Sequence, residues 1–204
     1  MRLFYSPFSS NSRRACMTAA HLGTNVELAL VDLGKGEQRK PEYLRINPMG
    51  KVPALEDDGF YLTESHAIMQ YLCDKTPGQT IYPTELRARA DVNRWLFWSA
   101  YHWQPAIAIF GWENRIKPLL GLGPADPKEL QRGDELFSGC ARVLDAHLAD
   151  KKWVSGNDLT LADFALASAL MVTESAKVPV GGFDNIRNWQ KRVEALDVWK
   201  KTDA

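Results

Sequence analysis

Two short stretches of this chain carry residue types suited to holding a small, charged peptide. One is Asn47-Pro48-Met49-Gly50-Lys51-Val52-Pro53-Ala54-Leu55; the other, Glu64-Ser65, begins nine residues after it. Proline has no backbone N–H to give to a sheet ladder, so Val52-Pro53-Ala54-Leu55 reads as a strand with an unpaired entry. With a cis Val52–Pro53 bond, the Val52 N–H and C=O turn outward together and can pair with an extended peptide. Glu64 and Ser65 stand where a helix begins, and N–H groups at a helix start can bind a carboxylate. The Glu64 carboxylate can pair with an ammonium group of the same ligand.

Holding these groups in place takes a small sheet with helices against it. Leu3-Phe4-Tyr5 reads as a short strand stopped by Pro7, followed by a polar turn from Ser9 to Ser12. Arg13 to Leu22 reads as a helix with Ala15, Ala19 and Leu22 on its apolar side, and Gly23 caps it. Val26, Leu28 and Leu30 recur at period two, the pattern of a half-buried strand. Val52 to Glu56 and Phe60 to Leu62 flank Asp57-Asp58-Gly59, a hairpin signal. Ser65 to Lys75 then reads as a helix with Ile68, Tyr71 and Leu72 inward. The order β-α-β-α-β-β-α is a thioredoxin-like arrangement over residues 1–77.

Thr76-Pro77-Gly78-Gln79 ends that pattern, and residues 84–204 read as a second, all-helical domain. A long helix runs from near Thr84 through Trp95, Trp98 and Trp103, and Pro105 should kink it. Asp126-Pro127-Lys128-Glu129 opens another, expected to bury Leu136, Cys140, Val143, Leu144 and His147 or Leu148. Thr160-Leu161-Ala162-Asp163 reads as a capping box, with Asp163 structural. Ile186, Trp189, Val193 and Leu196 mark a last amphipathic helix.

Composition narrows the function. The 204 residues are 45% hydrophobic, with seven tryptophans, enough for a sizeable core. Twenty-five basic residues balance 25 acidic ones without a like-charge run, which argues against nucleic acid or an anionic membrane as the partner. No apolar run suggests a signal peptide or a membrane span. Cys16, Cys73 and Cys140 are odd in number and scattered, the usage of reduced thiols in the cytoplasm. The four histidines lack metal-ligand spacing, so no metal is expected.

Together these features resemble the cytosolic glutathione S-transferases, a likeness spanning nearly the whole chain. Asn47 to Leu55 matches the family's Asn-Pro-x-Gly-x-Val-Pro-x-Leu segment. Leu62-Thr63-Glu64-Ser65-His66-Ala67-Ile68 matches its glutathione-binding turn and helix, and Gly156 to Asp163 resembles the capping box of its helical domain. The resemblance implies a thioredoxin-like N-terminal domain plus an all-α C-terminal domain, and a homodimer. It implies glutathione as substrate, not cofactor, conjugated to a small hydrophobic electrophile.

Site residues follow from the same likeness. Pro7-Phe8-Ser9-Ser10-Asn11-Ser12-Arg13-Arg14 is similar to the serine-type turn, in which a serine lies four residues before an arginine, in what is read as a bacterial-like member. Ser9 is then the thiol activator, with Ser10 and Tyr5 as alternatives and a turn or N-cap role as the plainer reading of the serines. Val52 and Pro53 would hold the cysteinyl unit, Glu64 and Ser65 the γ-glutamyl unit, and Gln38, Arg39 and Lys51 the glycine carboxylate. His102, Trp103, Phe110 and Trp112 would line the electrophile pocket. A glutathione-dependent isomerase is the alternative enzyme, although Ser9-Ser10-Asn11 departs from the Ser-Ser-Cys run of the class resembling maleylacetoacetate isomerase. A non-catalytic binding module is the other alternative.

Overall fold

The computed structural model describes residues 1–202, in two compact units. The first comprises Met1–Tyr82 together with the chain from Leu196 onward; the second is Pro83–Ala195. The last segment therefore belongs with the N-terminal unit and not, as the sequence suggested, with the helical one.

In the first unit, β1 (Arg2–Tyr5) leads through the turn into α1 (Ser10–Leu22), then β2 (Glu27–Leu30) and the short α2 (Pro41–Leu44). The hairpin β3 (Ala54–Asp57) and β4 (Phe60–Leu62) follows, then α3 (Ser65–Asp74). The strand order is β2-β1-β3-β4, with β1 parallel to β2 and the other pairs antiparallel. Side chains alternate between the faces of a strand. Leu3 and Leu55 thus pack under α1 and α3 with Ala15, Ala19, Ile68 and Leu72, while Phe4, Ala29 and Ala54 pack against Tyr43 of α2. The hairpin loop is two residues, Asp58 and Gly59, at φ of 51° and 86°. Both positive angles match the twist of the flanking strands.

One strand face differs from expectation. Leu28 and Leu30 are 52% and 60% exposed, and the buried residue of β2 is Ala29. As an edge strand, β2 carries Leu28 and Leu30 beyond the cover of α1. Alternation gave the period but not the face.

The second unit begins with α4 (Leu86–Trp98). Residues Ser99–Trp103 wind as a π-turn before α5 (Gln104–Gly111), a wider turn that accommodates Pro105 in the first turn of α5. Proline would otherwise remove one helical bond and clash with the carbonyl four residues back. A second π-turn, Trp112–Ile116, leads to the short α6 (Lys117–Leu119). Then come α7 (Pro127–Leu148), α8 (Leu161–Ala169), α9 (Thr173–Ala176) and α10 (Asp184–Glu194). The terminal α11 (Asp197–Lys201) packs on α1 in the first unit.

The buried stripe of α7 is Gly133, Phe137, Ala141, Leu144 and Leu148. Leu136 and Val143, expected inward, are 46% and 56% exposed. Both stripes have helical spacing, and Phe137 decides between them by meeting Trp103 at a tilt and Phe110 and Phe183 edge to face. Burying the largest ring removes the most apolar surface from water.

Candidate active site

Sheet topology brings the two chemically suggestive stretches to one end. Phe4 pairs with Ala54 and Leu55 with Leu62, both antiparallel. Running each register on by two residues sets Ser6 opposite Val52 and Pro53 opposite Glu64. The exit of β1, the entry of β3 and the exit of β4 therefore meet, and α1 and α3 both begin there. Neither helix has an acidic residue in its first turn. Their positive ends favour an anion: the α1 start is capped at Ser12 N–H by Ser9, and the exposed Glu64 stands at the N-cap of α3 without a side-chain cap bond.

The turn after β1 is closed by three hydrogen bonds. Ser6 N–H donates to Ser12 Oγ at 3.2 Å, Ser12 N–H to Ser9 Oγ at 3.2 Å, and Ser9 N–H to the Ser6 carbonyl at 3.1 Å. Ser9 is thus the N-cap of α1, as the plainer reading had it. That role does not use up the hydroxyl. Oγ accepts from Ser12, and its own O–H proton remains to be donated. Ser10 is the first helical residue, half-buried. Tyr5 packs on the α1–α3 side of the sheet and borders a 130 Å³ cavity with Ser6, Pro7, Cys16 and Leu28.

The Val52–Pro53 bond is cis, and Val52 is buried. The turn before it is fixed at the Lys51 carbonyl, which accepts from Tyr43 Oη and from Asn47 Nδ2, each at 2.7 Å. Asn47 Oδ1 accepts from Met49 N–H at 3.0 Å. Gly50 sits at φ 59°, where a Cβ would stand 3.0 Å from the Gln38 carbonyl oxygen. Asn47 and Gly50 of the motif are therefore structural, and they bring Gln38 beside the Lys51-Val52 entry. Gln38 Oε1 is buried with no hydrogen-bond partner from the protein. Arg39 and Lys51 are exposed.

Glu64 adopts φ 65° and ψ 111°, a conformation that costs a non-glycine residue about 1–3 kcal/mol. Strain of this kind clusters at ligand-binding positions. It leaves the Glu64 side chain exposed, while Ser65 behind it is buried.

Two consecutive arginines that motif reading left without a role fasten α1. Arg14 is fully buried and donates to His66 Nε2 at 2.8 Å, tying α1 to the second residue of α3. Burial and the nearby Arg14 charge push the His66 imidazole down to about 3, so it is neutral at pH 7 and accepts. Burial brings the Arg14 guanidinium down to about 9, still charged at pH 7. Arg13 stacks on Trp199 of α11, its guanidinium carbon 3.8 Å from the ring centroid, and donates to the Trp199 carbonyl at 3.0 Å. These partners lie 52 and 186 residues away, so no local pattern could have revealed them.

In the second unit the four residues expected at an electrophile pocket separate. Trp103 is fully buried and donates its indole N–H to the Leu166 carbonyl at 3.1 Å. Phe110 is buried against Phe137. Both belong to the core, because apolar rings on the inner face of a helix are drawn there by area alone. His102 is exposed and lines an open recess of 550 Å³ with Arg94, Phe97, Trp98 and Tyr101. Trp112 is exposed in the second π-turn, outside that recess.

Residues 1–74 match the family model "Glutathione S-transferase, N-terminal domain", and residues 101–197 match "Glutathione S-transferase, C-terminal domain". The chain belongs to the glutathione S-transferase family. It is 32% identical to Glutathione S-transferase F10 of Arabidopsis thaliana, over 98% of this chain and 95% of that one. It is 34% identical to human Glutathione S-transferase theta-2B, over 96% of this chain and 81% of that protein. The crystal structure of glutathione transferase F7 from Populus trichocarpa superposes with a TM-score of 0.88 at 28% identity, covering 98% and 96% of the two chains. The match spans both units, so the transferase fold accounts for the helical half as well as the sheet. Among the described residues, no helix is long and apolar enough to cross a membrane.

Proposed function

We propose that the protein conjugates the thiolate of glutathione to small hydrophobic electrophiles, through a serine-type site with Ser9 as activator. The carrying observation is that two helices open, without first-turn acids, at the sheet end where Ser9 keeps a hydroxyl proton to donate.

A free thiol of pKa ~8.5 is only a few per cent ionised at pH 7. Making it mostly thiolate takes a drop of about 2 units, or ~2.7 kcal/mol. A charge-assisted hydrogen bond from the Ser9 hydroxyl contributes about 1.5–3 kcal/mol. The start of α1 adds about 0.3–1 kcal/mol. No general base is needed. In this reading the Val52 backbone holds the cysteinyl unit. Ser65 and the start of α3 take the γ-glutamyl carboxylate, with Glu64 on its ammonium. Gln38, Arg39 and Lys51 surround the glycine carboxylate. The exposed aromatic recess around His102 is the part of the second unit suited to an apolar electrophile.

The protein is read as a cytoplasmic homodimer, its three cysteines reduced and the exposed Phe60 and Tyr61 of edge strand β4 covered by the partner. Light scattering giving only 23.0 kDa at micromolar concentration would refute the dimer. Elution from glutathione resin together with turnover of a chlorinated nitroaromatic tests the activity. Binding without turnover of a panel of electrophiles would favour a non-catalytic module, and absence of both would overturn the reading.

A further inference from the structure

The terminal helix α11 crosses back to the unit that carries the proposed thiol site, and its contact falls on the first turn of α1. Arg13 N–H makes the first main-chain bond of that helix, to the Ser9 carbonyl at 2.9 Å. The Arg13 side chain is 5% exposed and is held by Trp199 in two ways, through the ring face and through the carbonyl. Whatever fixes Arg13 therefore fixes the residue whose carbonyl it bonds. The 130 Å³ cavity lies along the same flank, lined by Ser6, Pro7 and Arg13 on the side of the turn and by Lys201 and Thr202 on the side of the terminal segment.

We propose that Trp199 and Arg13 form a positioning clamp that sets the aim of the Ser9 hydroxyl, making the C-terminal helix part of the thiol-activating site. Neither residue touches the thiol. A hydroxyl donor acts on a sulfur only within a narrow window of distance and direction, and supporting residues must hold it to about 0.5 Å. Without the stack, α1 keeps its cap bond from Ser12 but loses the anchor one turn in. Ser9 then spends part of its time turned from the sulfur. The loss appears in thiol ionisation and turnover, whereas glutathione affinity, carried by the two charged ends of the peptide, changes little.

The clamp rests on the Ser9 reading, so the test sets Trp199→Ala, Trp199→Phe and Arg13→Lys beside Ser9→Ala. Ultraviolet titration of bound glutathione gives the thiol pKa, steady-state kinetics separates kcat from KM, and urea unfolding tracks the fold. Trp199→Ala should raise the bound thiol pKa by about 0.5–1 unit, which from a starting value of ~6.5 is roughly a 1.5- to threefold loss of thiolate at pH 7. The glutathione KM should stay within about twofold, since uniform binding is untouched. Trp199→Phe keeps a ring face and the carbonyl and should restore the wild-type pKa. Arg13→Lys loses the planar stack and should shift in the same direction as Trp199→Ala. A lower urea midpoint in Trp199→Ala with an unchanged thiol pKa and kcat would reduce the clamp to a structural contact. If Trp199→Ala does not fold, a wild-type thiol pKa in Arg13→Lys overturns the proposal. A shift in Ser9→Ala with none in the clamp variants refutes the clamp alone. A shift in Trp199→Ala with none in Ser9→Ala refutes the Ser9 role and, with it, the clamp as the device that aims that hydroxyl.

Discussion

The starts of α1 and α8 use the same device, a hydroxyl N-cap, and differ in what is left over. At α8 the Asp163 carboxylate accepts from Thr160 N–H, Thr160 Oγ1, Val154 N–H and the Trp189 indole, all between 2.8 and 3.3 Å. The carboxylate is wholly buried, and burial pushes it up to about 6 against those four donors. Nothing there remains to meet a ligand. At α1 the cap takes one bond, the residue is only part-buried, and no acid occupies the first turn. A helix start whose acceptors are fully matched is a fastener, and one with a donor in hand and no acid in its first turn can act on an anion.

The sharpest way to break this contrast is at Asp163. Asp163→Ala removes a cap, which costs about 0.5–2 kcal/mol, and strands buried donors at about 1–3 kcal/mol each. We expect a loss of about 3 kcal/mol or more in urea unfolding. The thiol pKa of bound glutathione should stay at its wild-type value. A stable Asp163→Ala with a shifted thiol pKa would reverse the roles of the two caps.

Ser9→Ala should do the opposite. The cap bond to Ser12 is lost, but the site is part-buried, so stability falls by only about 1 kcal/mol. The bound thiol pKa should rise by about 1–2 units and turnover near pH 7 should drop roughly three- to twenty-fivefold, recovering partly at higher pH. Glutathione affinity should be nearly unchanged. An unshifted pKa here, with a raised one in Ser10→Ala or Tyr5→Phe, would move the donor to that residue.

Local devices were the legible part of the sequence. The capping box at Thr160, the N-cap at Asp126, the glycine cap after Leu22 and the Asp58-Gly59 hairpin each depend on residues a few positions apart, and each is present. The motif Asn47 to Leu55 was legible for the same reason. What escaped was set by distant partners. Leu136 and Phe137 offer two equally periodic stripes, and the rings of α5 and its preceding turn choose between them. Ala29 lies inward and Leu28 outward because β2 is an edge strand. Trp103 and Phe110 face the core and not a pocket, and tryptophan spacing cannot tell these apart. Arg13 entered only as the spacing marker of the serine-type turn and Arg14 had no reading, yet both are buried, with partners far along the chain.

The start of α3 lies between the two extremes, and pH can separate its fastening from its binding role. His66 titrates near 3 in the fold, against its ordinary value of 6.5 when unfolded. Between those values the unfolded chain binds a proton that the native state does not, so His66 lowers stability as pH falls. From pH 7 to pH 5 that amounts to about 2 kcal/mol. Asp163, raised in the fold, changes stability in the opposite sense over part of that range, so the informative quantity is the difference from a His66→Gln variant. The variant should show a flatter pH dependence of the urea midpoint. Equal slopes would mean that the Arg14–His66 contact does not depend on a neutral imidazole.

The smallest effect is expected at the rim. Lys51 is exposed, and its backbone carbonyl, not its ammonium, is what Tyr43 and Asn47 hold. An ammonium in water gains little from one carboxylate partner and is screened by salt. Lys51→Ala should therefore weaken glutathione binding by less than about fivefold, the upper range for an exposed pair. The deficit should shrink at high ionic strength, where the Debye length falls to about 3 Å at 1 M salt. The turn itself should survive, since alanine keeps the carbonyl, and the thiol pKa should not move. Titration calorimetry at two salt concentrations measures both quantities. A loss well beyond fivefold that persists in high salt would mean the ligand carboxylate sits in a dry pocket with Lys51, and the glycine end would join the sheltered part of the site.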